Sequence, residues 1–167
     1  MWLSLWLLAS LSACGWHLRG SQTVDLALPP LYLQVEQGSA ELLREVATGL
    51  KASQVEVVAN RSAARMVLTL ERERSDRRVL SVDGRGNVQA YELLYRLVFS
   101  VRDSDGKLLL PSETITFQRD YSFDEAEVLA KSKEQTQLFD MMRRNAVQQL
   151  MRRLQSLADH GAGSGAD

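Results

Sequence analysis

Five arginines, Arg72, Arg74, Arg77, Arg78 and Arg85, gather around one expected hairpin end. Arginine presents a planar fork of N–H donors that matches the oxygens of a phosphate, so such a cluster suits anion binding. The same stretch carries Glu71, Glu73 and Asp76, and a mixed-sign run also reads as a solvated strand edge. A third reading is that strands continuing past their helices into polar sequence sit in a wet enclosure such as a barrel lumen. Lys131 and Lys133, with Glu134 and Gln135, mark the polar first turns of a helix, where a solvated face is the default. Arg143-Arg144 and Arg152-Arg153 read as an exposed helix face, and in the last turns they complement the negative helix end.

Covalent or metal chemistry has less to work with. A nucleophile needs an adjacent base, and a metal centre needs clustered ligands. The chain offers two histidines, His17 and His160, and one cysteine, Cys14. Asp83 and the pair Asp103/Asp105 fall in tight turns, where short acidic residues are common for backbone reasons. Gly84-Arg85-Gly86 is too short and wrongly placed for a phosphate-binding fingerprint. The expectation is a non-enzymatic protein with no metal and no cofactor.

Composition sets the class. The chain has 167 residues, 45% hydrophobic and 25% charged, enough for one globular domain with a real core. Twenty basic residues against 21 acidic ones leave a net charge of -1, which argues against a bulk nucleic-acid binder and makes any basic patch local. Residues 1–13 are uncharged and mostly apolar, yet a hydrocarbon core needs about 20 apolar residues. They end in small residues, as a removable signal does. Leu11-Ser12-Ala13-Cys14 resembles the lipobox of bacterial lipoproteins, whose cysteine becomes the acylated first residue of the mature chain. The chain is therefore expected to divide into a signal peptide (1–13), an acylated tether (14–30), a single domain (31–158) and a flexible tail (159–167). Such a protein is anchored rather than spanning.

The positioning elements follow from periodicity. Leu31–Val35 reads as a strand, and Ser39 as the N-cap of a helix over 40–52. Gln54–Ala59 and Arg65–Glu73 read as two further strands, and Val79, Leu80 and Val82 resume strand chemistry after the charged run. Tyr91, Leu93, Tyr95, Leu97, Phe99 and Val101 share one face at period two. Ile115, Phe117, Tyr121 and Phe123 carry the last strand. Asp124 and Glu127 form a variant capping box for a long helix, with Phe139, Met142, Ala146, Leu150, Leu154 and Leu157 on one stripe. The fold class expected is α+β: a two-layer sandwich with two helices on one face of a mainly antiparallel, possibly mixed, sheet of four to five strands.

Cys14-Gly15-Trp16-His17-Leu18-Arg19-Gly20 resembles the start of the mature chain in the LptE family of LPS-assembly lipoproteins. Two internal motifs extend the resemblance: Gly84-Arg85-Gly86-Asn87 before Tyr91-Glu92-Leu93, and Leu129-Ala130-Lys131 before Glu134-Gln135. The resemblance implies a lipoprotein on the periplasmic side of the outer membrane, anchored through Cys14. It implies a plug that helps assemble the LptD outer-membrane β-barrel and binds lipopolysaccharide during delivery to the outer leaflet. Matched motif to motif, it implies Arg85 and Lys131 as lipopolysaccharide-binding residues. The alternative is a structural adaptor lipoprotein of another envelope transport complex, without a ligand site.

Overall fold

Alternating side chains make the sheet, and its length is set by three strands of nearly equal size. The structure is a computed structural model that describes residues 26–124 and 128–163. Its elements are β1 (Leu31–Val35), α1 (Ala40–Ala52), a 3₁₀ turn (Arg61–Ala63), β2 (Met66–Val82), β3 (Val88–Asp103), β4 (Leu108–Ser122) and α2 (Val128–Gly163). The sheet order is β1-β2-β3-β4. β1 runs parallel to β2, while β2/β3 and β3/β4 are antiparallel. Both helices pack on one face, as expected for a two-layer α+β fold with a mixed sheet.

The core lies where both helices meet the sheet. Leu42, Val46 and Leu50 of α1 and Met142, Ala146, Leu150 and Leu154 of α2 are buried against Leu68, Leu70, Leu97, Phe99 and Val101. Leu26 also packs into this core and donates its N–H to Ser53 O at 3.1 Å, so the packed domain reaches back before residue 31. At about 1.5 Å per residue the 36 residues of α2 cover about 54 Å, and the 17 of β2 cover about 56 Å. The long helix thus matches the long strands.

β2 is one continuous strand where the sequence suggests two segments separated by a charged run. Glu71 to Arg78 has no apolar residue, but the ladder to β3 holds it extended. One irregularity within it decides much of the surface. Leu70 pairs with Phe99 and Arg72 with Val98, so Glu71 is an extra residue, a β-bulge. Before it Met66, Leu68 and Leu70 face the helices. After it the helix-facing set is Glu73, Ser75, Arg77 and Val79, opposite Leu97, Tyr95, Leu93 and Tyr91. Arg72, Arg74 and Arg78 therefore point to the uncovered face.

Glu73, turned inward, joins three elements. Its carboxylate accepts from the Tyr95 hydroxyl at 2.8 Å and from the Ser39 backbone N–H at 2.7 Å. Ser39 caps α1 through Leu42 N at 3.1 Å. Burial first, then the bond to Glu73, pushes the Tyr95 hydroxyl well above its ordinary pKa.

Several expectations need correction. Gln54–Ala59 is not a strand; it contributes one bridge, Val57 to Leu31. The N–H groups of residues 53–55 instead close the end of α1, which leaves too little chain for a ladder. Val55 is buried but Val57 is 41% exposed, so the two do not share an inner face. β4 begins at Leu108, earlier than its aromatic face indicates, and carries Pro111 on a free outer edge, where a missing N–H is harmless. α2 continues through Gly163, past the expected start of the tail. The signal peptide, Cys14, His17 and most of the tether lie outside the described residues, as does Glu127 of the capping box.

The two long hairpins close through the same turn chemistry. Asp83 Oδ1 accepts from Arg85 N at 2.8 Å and Asn87 N at 2.9 Å, and Asp103 Oδ1 from Asp105 N at 3.0 Å and Lys107 N at 2.9 Å. Gly86 and Gly106 supply the left-handed residue, with φ of 88° and 84°. Asp83 and Asp103 serve the backbone, as their place in tight turns suggests.

Two outcomes test this account. Leu97→Ala, at a fully buried site, should cost about 2–5 kcal/mol in urea unfolding. Leu80→Ala, at a site 49% exposed, should stay within about 0.5 kcal/mol; equal losses would contradict the one-sided core. The Asn87 and Arg85 amides hold the Asp83 carboxyl below the ordinary aspartate value of 3.8. Its contribution is therefore present at neutral pH and lost as pH falls through the depressed folded value. The amide resonances of Arg85 and Asn87 should titrate together with a midpoint below 3.8; a midpoint above it would refute the turn's bonding.

Candidate ligand-binding site

The end of the sheet nearest the β2–β3 turn carries an aromatic platform. Tyr91 and Tyr121 pair across β3 and β4, with ring centroids 6.5 Å apart and planes within 22°. Phe123 meets Tyr91 edge-on at 5.2 Å. Period two on neighbouring strands puts these rings on the helix-facing side.

Two cations lie on the platform. The Arg77 guanidinium stands 4.3 Å from the Tyr91 ring centre and donates to Gln135 Oε1 at 2.9 Å. Lys131 Nζ is 5.6 Å from the Tyr121 ring centre and 3.0 Å from Glu134 Oε2. The Tyr121 hydroxyl donates to the Lys131 carbonyl, tying the start of α2 to β4. Burial first, and then the Glu134 charge, raise the Tyr121 pKa, while Lys131 and Arg77 oppose the rise. A cation over a ring face gains roughly 0.5–2 kcal/mol depending on desolvation. Lys131 is thus not on a solvated helix face: its side chain is only 16% exposed.

Arg85 occupies the exposed tip of the β2–β3 hairpin, placed by the Asp83 bonds and by Gly86. The tip lies beyond the Val82–Val88 pair, three residues past Tyr91 along β3. That is about 10 Å along the strand before the turn itself is added. Arg85 and Lys131 therefore share one end of the molecule without sharing one small pocket. An extended ligand with separated anionic groups fits this spacing better than a single phosphate.

The other basic residues separate into different roles. Arg143 is not exposed as expected; it donates to Glu45 at 3.1 Å and Asp140 at 2.7 Å, and its side chain is 14% exposed. Burial works against its charge, but the two carboxylates outweigh it and raise its pKa. It fastens α1 to α2 beside an open groove of about 510 Å³. Arg153 pairs with Glu113 of β4 at 3.2 Å. On the uncovered sheet face Arg78 Nε stands against the buried carboxylate of Glu92, which also accepts from Gln118.

In the sequence Arg77 is indistinguishable from the other arginines of its cluster, and Arg96 of β3 carries no local signal. The register of a bulged strand, which separates them, is not written in local pattern. Among the described residues no group of histidine, cysteine and carboxylate side chains is arranged to hold a metal ion, and no helix is long and apolar enough to cross a membrane.

The chain is 29% identical over 150 residues to the LPS-assembly lipoprotein LptE of Pectobacterium atrosepticum, covering 86% of this chain and 77% of that one. The crystal structure of the rare lipoprotein B from Shewanella oneidensis superposes with a TM-score of 0.65 at 34% identity, over 80% of this chain and 97% of that one. The solution structure of a lipoprotein B from Nitrosomonas europaea shares the fold, with a TM-score of 0.74 at 24% identity, over 90% of this chain and 97% of that one. Residues 23–154 match the lipopolysaccharide-assembly family LptE, so the chain belongs to that family.

Proposed function

We propose that this LptE-family chain is a lipid-anchored outer-membrane plug that helps assemble the LptD β-barrel and binds lipopolysaccharide through Arg85 and Lys131. Cys14 carries the lipid, the domain faces the periplasm, and the protein catalyses no reaction. The observation that carries the ligand site is the cationic end of the sheet. Lys131 is held on the Tyr121 ring, Arg77 on the Tyr91 ring, and the Arg85 turn projects beyond them.

The chemistry suits a phosphorylated glycolipid. The Lys131–Glu134 pair is a neighbouring pair on one helix, and the Glu134 side chain is 49% exposed. Pairs of that kind contribute little, so a phosphate can compete for the ammonium. Arg85 adds a fork of donors at the tip. The tyrosine and phenylalanine rings offer apolar faces to sugar or acyl carbons between the two charges.

Lys131→Gln keeps the stem over Tyr121 and removes the charge, so Arg85→Gln with Lys131→Gln isolates the electrostatics. Losing two charge-assisted contacts should weaken lipopolysaccharide binding by about tenfold or more, with far-UV CD and melting close to wild type. Unchanged affinity would remove the ligand site. Affinity purification of the acylated protein from outer membrane should bring down a large β-barrel in stoichiometric amount. Recovery with other transport subunits alone would favour an adaptor without a ligand.

A further inference from the structure

The face of the sheet opposite the helices carries arginines that the ligand site does not use. Even-numbered residues of β3 point there, because Leu93, Tyr95, Leu97, Phe99 and Val101 point into the core. After the bulge, β2 presents Arg72, Arg74, Asp76 and Arg78 on the same face, across from Val98, Arg96, Leu94 and Glu92. β4 continues these rows with Thr114, Thr116, Gln118 and Asp120.

Arg74 and Arg96 are directly opposed, an arrangement that destabilises a ladder unless a counter-charge is supplied. Asp76 supplies part of it, at 2.8 Å from Arg74 Nε. Among the described residues neither Arg72 nor Arg96 has a carboxylate partner. Neighbouring acids are engaged elsewhere: Glu92 with Arg78 and Gln118, and Glu71 with the Ser112 hydroxyl at 2.7 Å. Asp120 lies two rows away, beside Glu92. The result is an open depression of about 360 Å³ lined by Arg72, Arg74, Arg96, Val98 and Thr114.

We infer that this uncovered sheet face is a docking surface for a carboxylate-bearing protein wall. For the identity of that wall the inference rests on the barrel-plug reading, which makes it the polar inner surface of the partner barrel. Arginine is enriched and lysine depleted at protein interfaces, and no lysine lies on any of the four strands. A guanidinium meets a carboxylate through two parallel bonds, and strand-spaced rows of arginine and threonine face a second sheet at matching pitch. The inward-facing residues of a membrane barrel are polar and alternate along each strand. A second copy of this chain fits less well, because Asp76 and Glu92 on this face are already engaged by Arg74 and Arg78.

The test uses the full acylated chain, co-expressed with the barrel, in two forms: Arg72→Glu with Arg96→Glu, and the neutral Arg72→Gln with Arg96→Gln. Both should melt at or above the wild-type temperature, because the opposed charges are relieved. Recovery of the barrel complex should fall at least tenfold for the glutamate form and less for the glutamine form. The salt sensitivity of the complex should fall in the same order. Lipopolysaccharide affinity should stay unchanged, since Arg85 and Lys131 are intact. Wild-type recovery of the complex by both variants would overturn the docking surface and leave the plug reading standing. Loss of lipopolysaccharide binding with the barrel complex intact would overturn it in favour of a phosphate-binding face. Failure of the wild-type chain to capture a barrel would overturn the plug reading, and this docking assignment with it.

Discussion

One extra residue in β2 governs how the charges of this protein are distributed. With Leu70 fixed opposite Phe99 by the core, an unbroken period of two would aim Arg72, Arg74 and Arg78 at the helices. Arg72 would then take the half-buried place that Glu73 holds against the N-terminus of α1, where a positive charge is disfavoured. The bulge at Glu71 reverses the alternation. Glu73 now faces inward, where the Tyr95 hydroxyl and the Ser39 amide satisfy its carboxylate. Arg77 also turns inward, to the aromatic end where Tyr91 and Gln135 receive it.

The second constraint is length. β1 pairs with only five residues of β2, Met66 to Leu70, and α1 covers the same end of the sheet. Beyond that point the sheet is covered on one side by α2 alone, and the helix-facing side of β2 turns to Glu73, Ser75 and Arg77 while β3 keeps Leu97, Tyr95 and Leu93 buried. The polar half persists because the ladder bonds of three long strands are satisfied internally, whatever the side chains.

The basic residues consequently fall into distinct groups. Arg143 is structural, held between Glu45 and Asp140 at the helix–helix contact. Arg77 and Lys131 rest on rings and keep their charge near the surface. Arg85 is carried out on a turn whose geometry Asp83 enforces. Among the described residues Arg72 and Arg96, on the uncovered face, have no carboxylate partner. Near-zero net charge therefore conceals a divided surface, with Arg77 and Lys131 on the helix side of the sheet and Arg72 and Arg96 on the other.

Much of this was determined by the sequence alone. The period-two face of β3, the cap at Ser39, the turn aspartates and the stripe of α2 are local signals, because each depends on residues within a few positions of one another. The fold class follows from their order, and the resemblance at Cys14–Gly20 and in the two internal motifs leads to the family that the match over residues 23–154 shows. Tertiary structure alone decided that Glu71–Arg78 is strand, that Gln54–Ala59 is not, and that Arg143 is enclosed. It also decided which arginines face which way. A strand without apolar residues is extended only because its neighbour's ladder makes it so, and a bulge is fixed by the register of two chains at once. Neither is a property of a segment, so neither can be read from one.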